Sequence, residues 1–457
     1  MSKSKKIARV RRLDGYTNVL TKYGTKRDNS EAYRYTGDIL VSDEQLTTMY
    51  ESNGLFAKII DTPAREALKN GFELGKMKDA DLEAFVSETM DTLDWSNKAA
   101  LAISWARLYG GAVIVMLIDD GGGLEDPVNV DNVRSVEDLY VFERPDVQPD
   151  YSNLYMSTGD NGLYHGIGEP EYYTVNAPYG AFRVHASRCL IFKNGDLPTR
   201  SILKNQTWGI PEYIRIKRAL REAVTSHSNA DKMLERSVQP VYSMQGLSEL
   251  LATDNGEDLV LKRMQVIDAA RSFLNSLLID ANGEKYEFKT FQLAGVKDVI
   301  DCTCNMLSAI TNIPQTILFG RSPAGMNATG DSDLENYYNY VGHIQKSMLE
   351  HNLRYLLKLI LRSCTFAGVI HTIPKYSLEF NPLWSYTALE KANIEKVKAD
   401  TAFVKAQTAQ AYIMMGALDP TEIRQSIAES EDLDYEIDLS ADREIQSLDD
   451  LGVNTDE

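Results

Sequence analysis

Residues 319–330 hold the side chains best suited to contact a phosphate group. Arg321, Ser322, Asn327 and Thr329 lie among glycines in this segment, and flexible backbone of this kind can offer N–H groups to phosphate oxygens. A nucleotide cradle follows a strand and carries a lysine, whereas a helical pattern precedes this segment and no lysine is present. Three interpretations therefore stay open: a nucleotide site, a structural connector, and a mobile loop that touches a polymer or a partner protein.

Two other stretches resemble a catalytic or metal-binding motif, but the spacing of their residues does not match it. Gly71-Phe-Glu-Leu-Gly75-Lys76-Met77 has its glycines one residue too close for a phosphate loop, and Met77 replaces the hydroxyl residue that would hold Mg²⁺. Cys302-Thr303-Cys304 is one residue short of the usual spacing of paired zinc ligands. Since the sequence assembles no known catalytic set, we predict that the protein is not an enzyme and has no catalytic residue, no metal and no cofactor.

The phosphate candidates belong to a longer segment, residues 314–330, which the sequence predicts to be a loop between two helices. Pro314 should stop the helix that runs up to Ile313, because proline lacks an N–H and disfavours helix in the residue before it. Gly320, Gly325 and Gly330 permit positive φ, so we predict that they and Pro314 are the hinges of the loop.

A long helix is predicted to follow that loop. Ser332-Asp333-Leu334-Glu335 has the form of a capping box, which places the N-cap at Ser332 with Glu335 as its partner. Apolar residues then recur every three to five positions and form one stripe. The stripe comprises Leu334, Tyr337, Val341, Ile344, Met348, Leu353, Leu356 and Ile360. Roughly thirty helical residues make a rod of about 45 to 50 Å.

Composition narrows the class of protein. The chain has 457 residues, 43% of them hydrophobic, and a net charge of −18, which argues against broad phosphate neutralisation on a nucleic acid. No run of about 18 apolar residues occurs, so neither a membrane span nor a secretory signal is expected. Residues 1–40 are predicted to be a flexible arm and residues 429–457 an acidic, disordered tail, with docking segments for a partner as the alternative.

The rest of the chain predicts an α+β fold. Helices are expected at Ser42–Leu68, Lys78–Leu93 and Ser96–Tyr109, followed by a buried strand at Ala112–Ile118. Four short segments rich in Tyr, Val and Phe are predicted to be strands of one antiparallel sheet. They begin at Leu139, Glu171, Ala181 and Cys189. Further helices are expected at 211–237, 259–274, 296–313 and 387–415, and strands at 276–280, 285–291 and 377–380.

Four stretches, taken in order and with their spacing, resemble the portal proteins of tailed double-stranded-DNA bacteriophages. They begin at Leu55-Phe-Ala-Lys-Ile-Ile-Asp-Thr-Pro, Ala106-Arg-Leu-Tyr-Gly-Gly, Val184-His-Ala-Ser-Arg-Cys and Ile313-Pro-Gln-Thr-Ile-Leu-Phe-Gly, the last continuing through Ser322-Pro-Ala-Gly-Met-Asn. The resemblance covers most of residues 40–415.

The resemblance implies a portal-like layout, with a mainly helical stem, a long spine helix, an α+β wing, a small α/β clip and a helical crown. Its parts follow one another along the chain. They are the arm (1–40), the wing (41–205), stem helix 1 (206–238), the clip (239–292), stem helix 2 (293–313), the tunnel loop (314–330), the spine helix with a strand returning to the wing (331–386), the crown (387–428) and the tail (429–457).

The resemblance also implies a function and a set of partners. The chain would form a homododecameric ring at one capsid vertex, through which double-stranded DNA is packaged and ejected without sequence specificity. Major capsid and scaffolding proteins, the terminase large subunit and a head-tail adaptor would be its partners, in the virion and in the host cytoplasm during assembly. Arg321 and Lys297 would supply scattered DNA contacts, and a salt bridge inside the ring is the alternative for Arg321. The rival functions are a phage adaptor or minor head protein, and a nucleotide-binding protein using residues 319–330.

Overall fold

The computed structural model describes nine stretches of the chain, which divide into two units by their contacts. The stretches are 41–75, 80–156, 168–235, 238–253, 255–269, 284–290, 295–320, 330–384 and 388–415. The units are residues 1–383 and residues 384–457. The predicted arm (1–40), the acidic tail (429–457) and the predicted strand at 276–280 lie outside the described residues.

Helices account for most of the described chain, as the 3.6-residue periodicity predicts. In chain order they are α1 (Asp43–Ser52), α2 (Gly54–Leu68), α3 (Ala80–Thr92), α4 (Trp95–Tyr109), α5 (Thr199–Lys204), α6 (Glu212–Glu235), α7 (Leu247–Leu251), α8 (Gly256–Ala269), α9 (Val296–Thr311), α10 (Gln315–Leu318), α11 (Asp331–Ile344), α12 (Glu350–Phe366) and α13 (Ala388–Met414). A π-helical turn at Gln345–Leu349 joins α11 to α12 without a break. Among the described residues, no helix is both long and apolar enough to cross a lipid bilayer.

Strands are short and antiparallel. In chain order they are β1 (Phe72–Gly75), β2 (Gly111–Asp119), β3 (Ser135–Glu143), β4 (Val147–Pro149), β5 (Tyr172–Ala177), β6 (Gly180–His185), β7 (Cys189–Lys193), β8 (Val238–Met244), β9 (Glu284–Thr290) and β10 (Ser377–Phe380). The α+β class predicted from the sequence is therefore confirmed.

The Tyr- and Val-rich strands form two sheets, so the prediction of one sheet is wrong. One sheet has the order β3-β2-β7 and the other the order β4-β5-β6. Strand β2 is the reason: it is buried on both faces, and it pairs with β3 through Val115↔Tyr140 and with β7 through Val113↔Ile191. The second sheet packs over one face of the first, where Val113 and Val115 join Val175 and Val184 in a core cluster.

The main core of the larger unit surrounds helix α4. Ala99, Ala102 and Ala106 are fully buried there, and small side chains allow α2 and the β2–β3 sheet to approach the helix closely. The apolar stripe predicted on the long helix belongs to the same core, since Val341, Leu353 and most of its other members are buried.

A one-residue break at Asn53 divides the helix predicted at Ser42–Leu68. Asn53 accepts hydrogen bonds from the backbone N–H groups of Leu55 and Phe56, each at 3.1 Å, and so caps α2. Helix α1 has a full capping box of its own between Ser42 and Gln45.

The strand predicted at 377–380 is confirmed as β10, and its partner is β1. Strand β10 pairs with β1 in the register Leu378↔Leu74 and Phe380↔Phe72. Beside this pair, the Asn70 side-chain amide donates to the carbonyl of Pro382 at 2.6 Å.

Between α6 and α9 the chain forms a β-ladder with two helices. Strands β8 and β9 pair in antiparallel fashion, for example Tyr242↔Tyr286, and α7 and α8 lie between them in sequence. The sequence predicts β9 and α8 but misses β8, in which Pro240 is atypical of a strand interior. The smaller unit contains α13 in its described part, close to its predicted bounds.

Candidate functional site

The two predicted stem helices, α6 and α9, pack against each other. Their contact includes a hydrogen bond of 2.9 Å between the hydroxyls of Ser226 and Thr303. Ala219 and Ala223 on α6 and Leu307 on α9 are buried, which is the amphipathic pattern that the sequence shows for both helices. Helix α9 of this pair leads into the segment predicted to be a loop.

Helix α9 ends earlier than predicted, and Pro314 does not end it. The helix stops at Thr311, and Asn312 follows in the left-handed conformation with φ of 55°. Asparagine tolerates this conformation because its short polar side chain bonds locally. Pro314 instead is the N-cap residue of α10, whose first turn has no need of the missing proline N–H.

Residues 315–318 are helical, although the sequence predicts loop from Pro314 to Gly330. The reason is apolar burial, since Ile313 and Leu318 insert into the main core. Gly320 and Gly330 have φ of 67° and 74°, the positive values predicted for hinge glycines. Between them, residues 321–329 lie outside the described residues, and with them Arg321, Ser322, Gly325, Asn327 and Thr329.

The N-cap of the long helix lies two residues before the predicted N-cap at Ser332. Gly330 is the N-cap, the N–H of Leu334 donates to its carbonyl at 3.0 Å, and the cap has no side-chain hydrogen bond. Ser332 and Glu335 are exposed and lie inside the helix, so the prediction of an N-cap at Ser332 is wrong. Because glycine adopts positive φ without strain, the chain enters the helix directly from Gly330.

Lys297 is exposed in the first turn of α9. Gly320 lies beyond the other end of that helix, which at 1.5 Å per residue is about 20 Å away from the first turn. The structure therefore does not bring Lys297 together with the start of the segment that contains Arg321.

A buried arginine that sequence reasoning missed connects α4 to α2 and to the long helix. Arg107 on α4 is 1% exposed. It donates to the Tyr340 hydroxyl on α11 at 2.7 Å and to the carbonyls of Ile59 and Ile60 at 3.2 Å each. Burial on its own lowers the pKa of Arg107, but interactions with Tyr340 and Glu212 outweigh it and raise that pKa. The guanidinium thus stays charged inside the core.

The position of Arg107 follows from a proline in the neighbouring helix. Pro63 lies inside α2 and has no N–H to give to the carbonyl of Ile59, four residues earlier. That carbonyl would be an unpaired acceptor in a dry core, which costs about 1–3 kcal/mol. Arg107 supplies the missing donor. The signal in the sequence was a proline within a helical pattern, which requires a donor from another element.

Three polar side chains hold the rest of the long helix against α2 and the strand β7. Gln345, in the π turn, donates to the carbonyl of Ala67 at 2.7 Å, one of the free acceptors at the end of α2. Asn352 donates to the carbonyl of Ile191 on the edge strand β7 at 3.0 Å. The Tyr355 hydroxyl donates to the carbonyl of Ser187 at 2.9 Å. The helix therefore covers a sheet edge as well as a core face.

The start of α6 is tied to the same frame. Glu212, its first residue, is buried and accepts a hydrogen bond of 3.1 Å from the Asn194 side chain. Asn194 also donates to the carbonyl of Ile210 at 2.8 Å. Glu212 raises the pKa of Arg107 through its charge. The start of α6 is thus fixed by buried polar contacts at the edge of the main core.

These contacts form a frame on either side of residues 321–329. Leu318 of α10 is buried in the main core before that segment, and Tyr340 of α11 bonds to Arg107 after it. Within the described stretches, no group of three or more His, Cys, Asp or Glu side chains could hold a metal ion.

Comparison with known proteins assigns this chain to a family. The family model described as phage portal protein matches residues 44–404. Two curated relatives carry the name anti-CBASS protein Acb1. The one from Caulobacter sp. (strain RHG1) is 28% identical over 400 residues, which are 85% of this chain and 62% of the relative. The one from Sphingomonas paeninsulae is 26% identical over 403 residues, 86% of this chain and 62% of the relative. The chain thus spans less than two thirds of the length of either relative.

A solved structure with a similar chain path is the neck of an empty GTA particle. It covers 84% of this chain and 93% of its own chain, at 11% sequence identity and a TM-score of 0.45. A likeness of this size adds no functional argument to the family match.

Proposed function

Because the chain belongs to the phage portal protein family, we propose that it assembles into a homo-oligomeric ring through which double-stranded DNA passes during packaging and ejection. The observation that carries the proposal is the family match, which extends over residues 44–404. It includes the wing, both stem helices, the segment 321–329 and the long helix. The ring would have the closed symmetry in which each subunit uses two different surfaces, and twelve copies are the number we expect.

The net charge of the chain and its anchored helices support a channel that lets DNA pass without binding it tightly. A net charge of −18 per subunit repels phosphates, so DNA would slide past a wall of this kind without being held. The segment 321–329 would face the channel as the tunnel loop, with Arg321 as a scattered contact. The anchors at Arg107 and Gln345 would keep its base fixed while DNA moves.

The role proposed is structural and not enzymatic. A motor protein, the terminase large subunit, would supply the work of packaging and dock on the ring. Major capsid and scaffolding proteins would surround the ring at one capsid vertex, and a head-tail adaptor would bind it after packaging. The protein would therefore be a component of the virion that assembles in the host cytoplasm.

Imaging of the purified full chain tests the ring. Negative-stain micrographs should show rings with a central hole, and native mass spectrometry should give twelve times the subunit mass. A matched control is Leu353→Asp, which places a carboxylate on the buried stripe and should yield no rings. Monodisperse monomers of the unaltered chain at high concentration would overturn the proposal.

Complementation tests the passage of DNA. A phage that lacks its portal gene should package and eject DNA when this chain is supplied with its cognate capsid and terminase. If the chain forms rings but does not restore filled heads, the ring assembly is supported and the packaging role is refuted.

The two rival functions give different results in the same experiments. An adaptor or minor head protein would form a smaller assembly, or join heads that already contain DNA. A nucleotide-binding protein that uses residues 319–330 would bind ATP in equilibrium dialysis, which we expect this chain not to do. The curated relatives named anti-CBASS protein Acb1 are longer proteins, and this chain spans 62% of each.

A further inference from the structure

Helix α6 carries an excess of positive charge in a chain that is acidic as a whole. Residues 214–224 contain four Lys or Arg and one acid, whereas the whole chain carries −18. Arg218 forms an ion pair with Glu222 at 2.8 Å. Within the described residues, Lys217 and Arg221 have no acidic partner. Two positive charges on this helix are therefore available to a partner.

These two bases share the solvent side of α6 with two apolar residues. Ile214 is 37% exposed and Val224 is 45% exposed. At about 100° per residue, the four side chains fall within a sector of about 80°. The opposite side of the helix carries the buried Ala219 and Ala223. The four residues Ile214, Lys217, Arg221 and Val224 form what we call the basic face, a strip about 15 Å long.

Helix α3 presents the opposite charge to solvent. Residues 80–94 contain five Asp or Glu and no Lys or Arg. The side of α3 turned to the core is apolar and consists of Leu82, Val86 and Met90. Glu88 and Asp91 are exposed on the other side and have no basic partner among the described residues. Phe85, beside them, is 44% exposed. Phe85, Glu88 and Asp91 form what we call the acidic face.

The two faces belong to opposite ends of helix α4. Helix α3 leads into the start of α4 through residues 93 and 94. Helix α6 begins near the other end, where a Cβ on Gly110 would come within 2.7 Å of the carbonyl oxygen of Gly209. The 15 residues of α4 span about 20 Å. One subunit therefore does not pair its own two faces, and a ring in which each subunit uses two different surfaces needs such a separation.

We propose that the basic face of α6 packs against the acidic face of α3 in the next subunit, an inference that rests on the proposed ring. The two bases would pair with the two carboxylates, and Phe85 would pack against the apolar ends of the strip. A second copy of the chain fits because it offers charge of the opposite sign, unpaired and on a helix of similar length. Charge complementarity of this kind steers association and fixes the register of the contact.

Charge reversal in the full chain tests the contact. The basic-face variant is Lys217→Glu with Arg221→Glu, and the acidic-face variant is Glu88→Lys with Asp91→Lys. Each variant alone sets like charges against each other at every contact of the ring. Subunit association should weaken about a hundredfold, and no rings should form at a concentration where the unaltered chain forms them. Circular dichroism and thermal unfolding show that the subunits are folded. Arg221→Glu and Glu88→Lys alone give a milder pair for the same test.

An equimolar mixture of the two variants distinguishes a contact between subunits from one within a subunit. If the variants alternate around the ring, opposite charges meet at every contact again. Rings should therefore return, and native mass spectrometry should find equal numbers of both variants in them. The matched control is Lys58→Glu with Lys346→Glu, at exposed positions outside both faces. It changes the net charge as much as the basic-face variant and should leave the rings unchanged.

Two results would overturn the contact and leave the proposed ring in place. One is the formation of rings by either variant alone, which would leave the basic face to another occupant such as DNA. The other is a mixture of folded variants that forms no rings although the unaltered chain does. Absence of rings from the unaltered chain would instead overturn the proposed ring, and this contact with it.

Discussion

Replacing Arg107 by methionine should destabilise the protein by an amount that depends on a proline in another helix. Arg107→Met removes three hydrogen bonds from a charged donor, each worth about 1.5–3 kcal/mol. It also removes a charge that costs free energy to bury, which offsets part of the loss. The carbonyl of Ile60 keeps its helical partner, but that of Ile59 has none because Pro63 lacks an N–H. We expect a net loss of about 2–4 kcal/mol in the free energy of unfolding.

A double-mutant cycle isolates the contribution of Ile59. In Pro63→Ala, residue 63 regains an N–H that can bond to the carbonyl of Ile59. Arg107→Met should therefore cost about 1–3 kcal/mol less in that background than in the unaltered chain. Any packing lost with the proline ring occurs in both arms of the cycle and cancels. Tyr340→Phe is the matched control, since it removes one bond to Arg107 and leaves the carbonyl of Ile59 paired.

Urea unfolding followed by tryptophan fluorescence measures these differences, because Trp95 and Trp105 lie on the same helix as Arg107. The measurement is made at a fixed protein concentration, since assembly stabilises the folded state. If Arg107→Met costs the same with and without Pro63, the pairing of Arg107 with an orphaned carbonyl is not what holds the arginine there.

Three further results are expected. Leu353→Asp buries an unpaired carboxylate at a position that is 0% exposed, which should cost several kcal/mol of folding free energy and prevent ring formation. The control, His351→Asp on the exposed side of the helix, should be tolerated. Rings formed by the Leu353 variant would show that the stripe is not buried. Deletion of residues 321–328 should spare the rings and reduce retention of packaged DNA in complementation; loss of the rings would assign the segment to the subunit interface. The Arg188 ion pair lowers the pKa of Asp120 below its usual 3.8, although burial opposes this. Asp120→Asn should therefore lower the free energy of unfolding by about 3–5 kcal/mol near neutral pH, and by less as the pH falls below about 4. A loss that does not depend on pH would refute a stabilising ion pair between Asp120 and Arg188.

The sequence predicts the longer helices well because local periodicity indicates each of them. The long helix shows this best, since residues from Tyr337 to Ile360 recur at helical spacing and are buried as expected. Strand partners are not local information. The segments at 139–143, 171–175, 181–185 and 189–192 look alike in composition, and only the two-sided burial of β2 decides which two of them flank it.

The candidate site was predicted in part, for similar reasons. Positive φ at Gly320 and Gly330 follows from residue type alone. The prediction of an N-cap at Ser332 was wrong because Gly330, two residues earlier, starts the helix. The capping motif alone does not show that an earlier residue can cap the same helix. The helical turn at 315–318 was missed because a four-residue segment has no period, and only tertiary burial of Leu318 makes it regular.

Arg107 and Gln345 could not be assigned from sequence, because their partners are backbone carbonyls. A carbonyl group is present at every position of the chain, so residue types cannot show which one lacks a donor. Pro63 is the exception, since a proline within a helix leaves one acceptor without its usual partner.

The pairing of β1 with β10 has a consequence for synthesis. Asn70 and Pro382, which bond beside this ladder, are 312 positions apart in the chain. During translation, the first strand leaves the ribosome long before its partner exists, and such distant contacts form late. A chain cut short by premature termination or proteolysis lacks β10 and leaves the edge of β1 open. The ladder that pairs β1 can therefore form only after residue 380 has been synthesised.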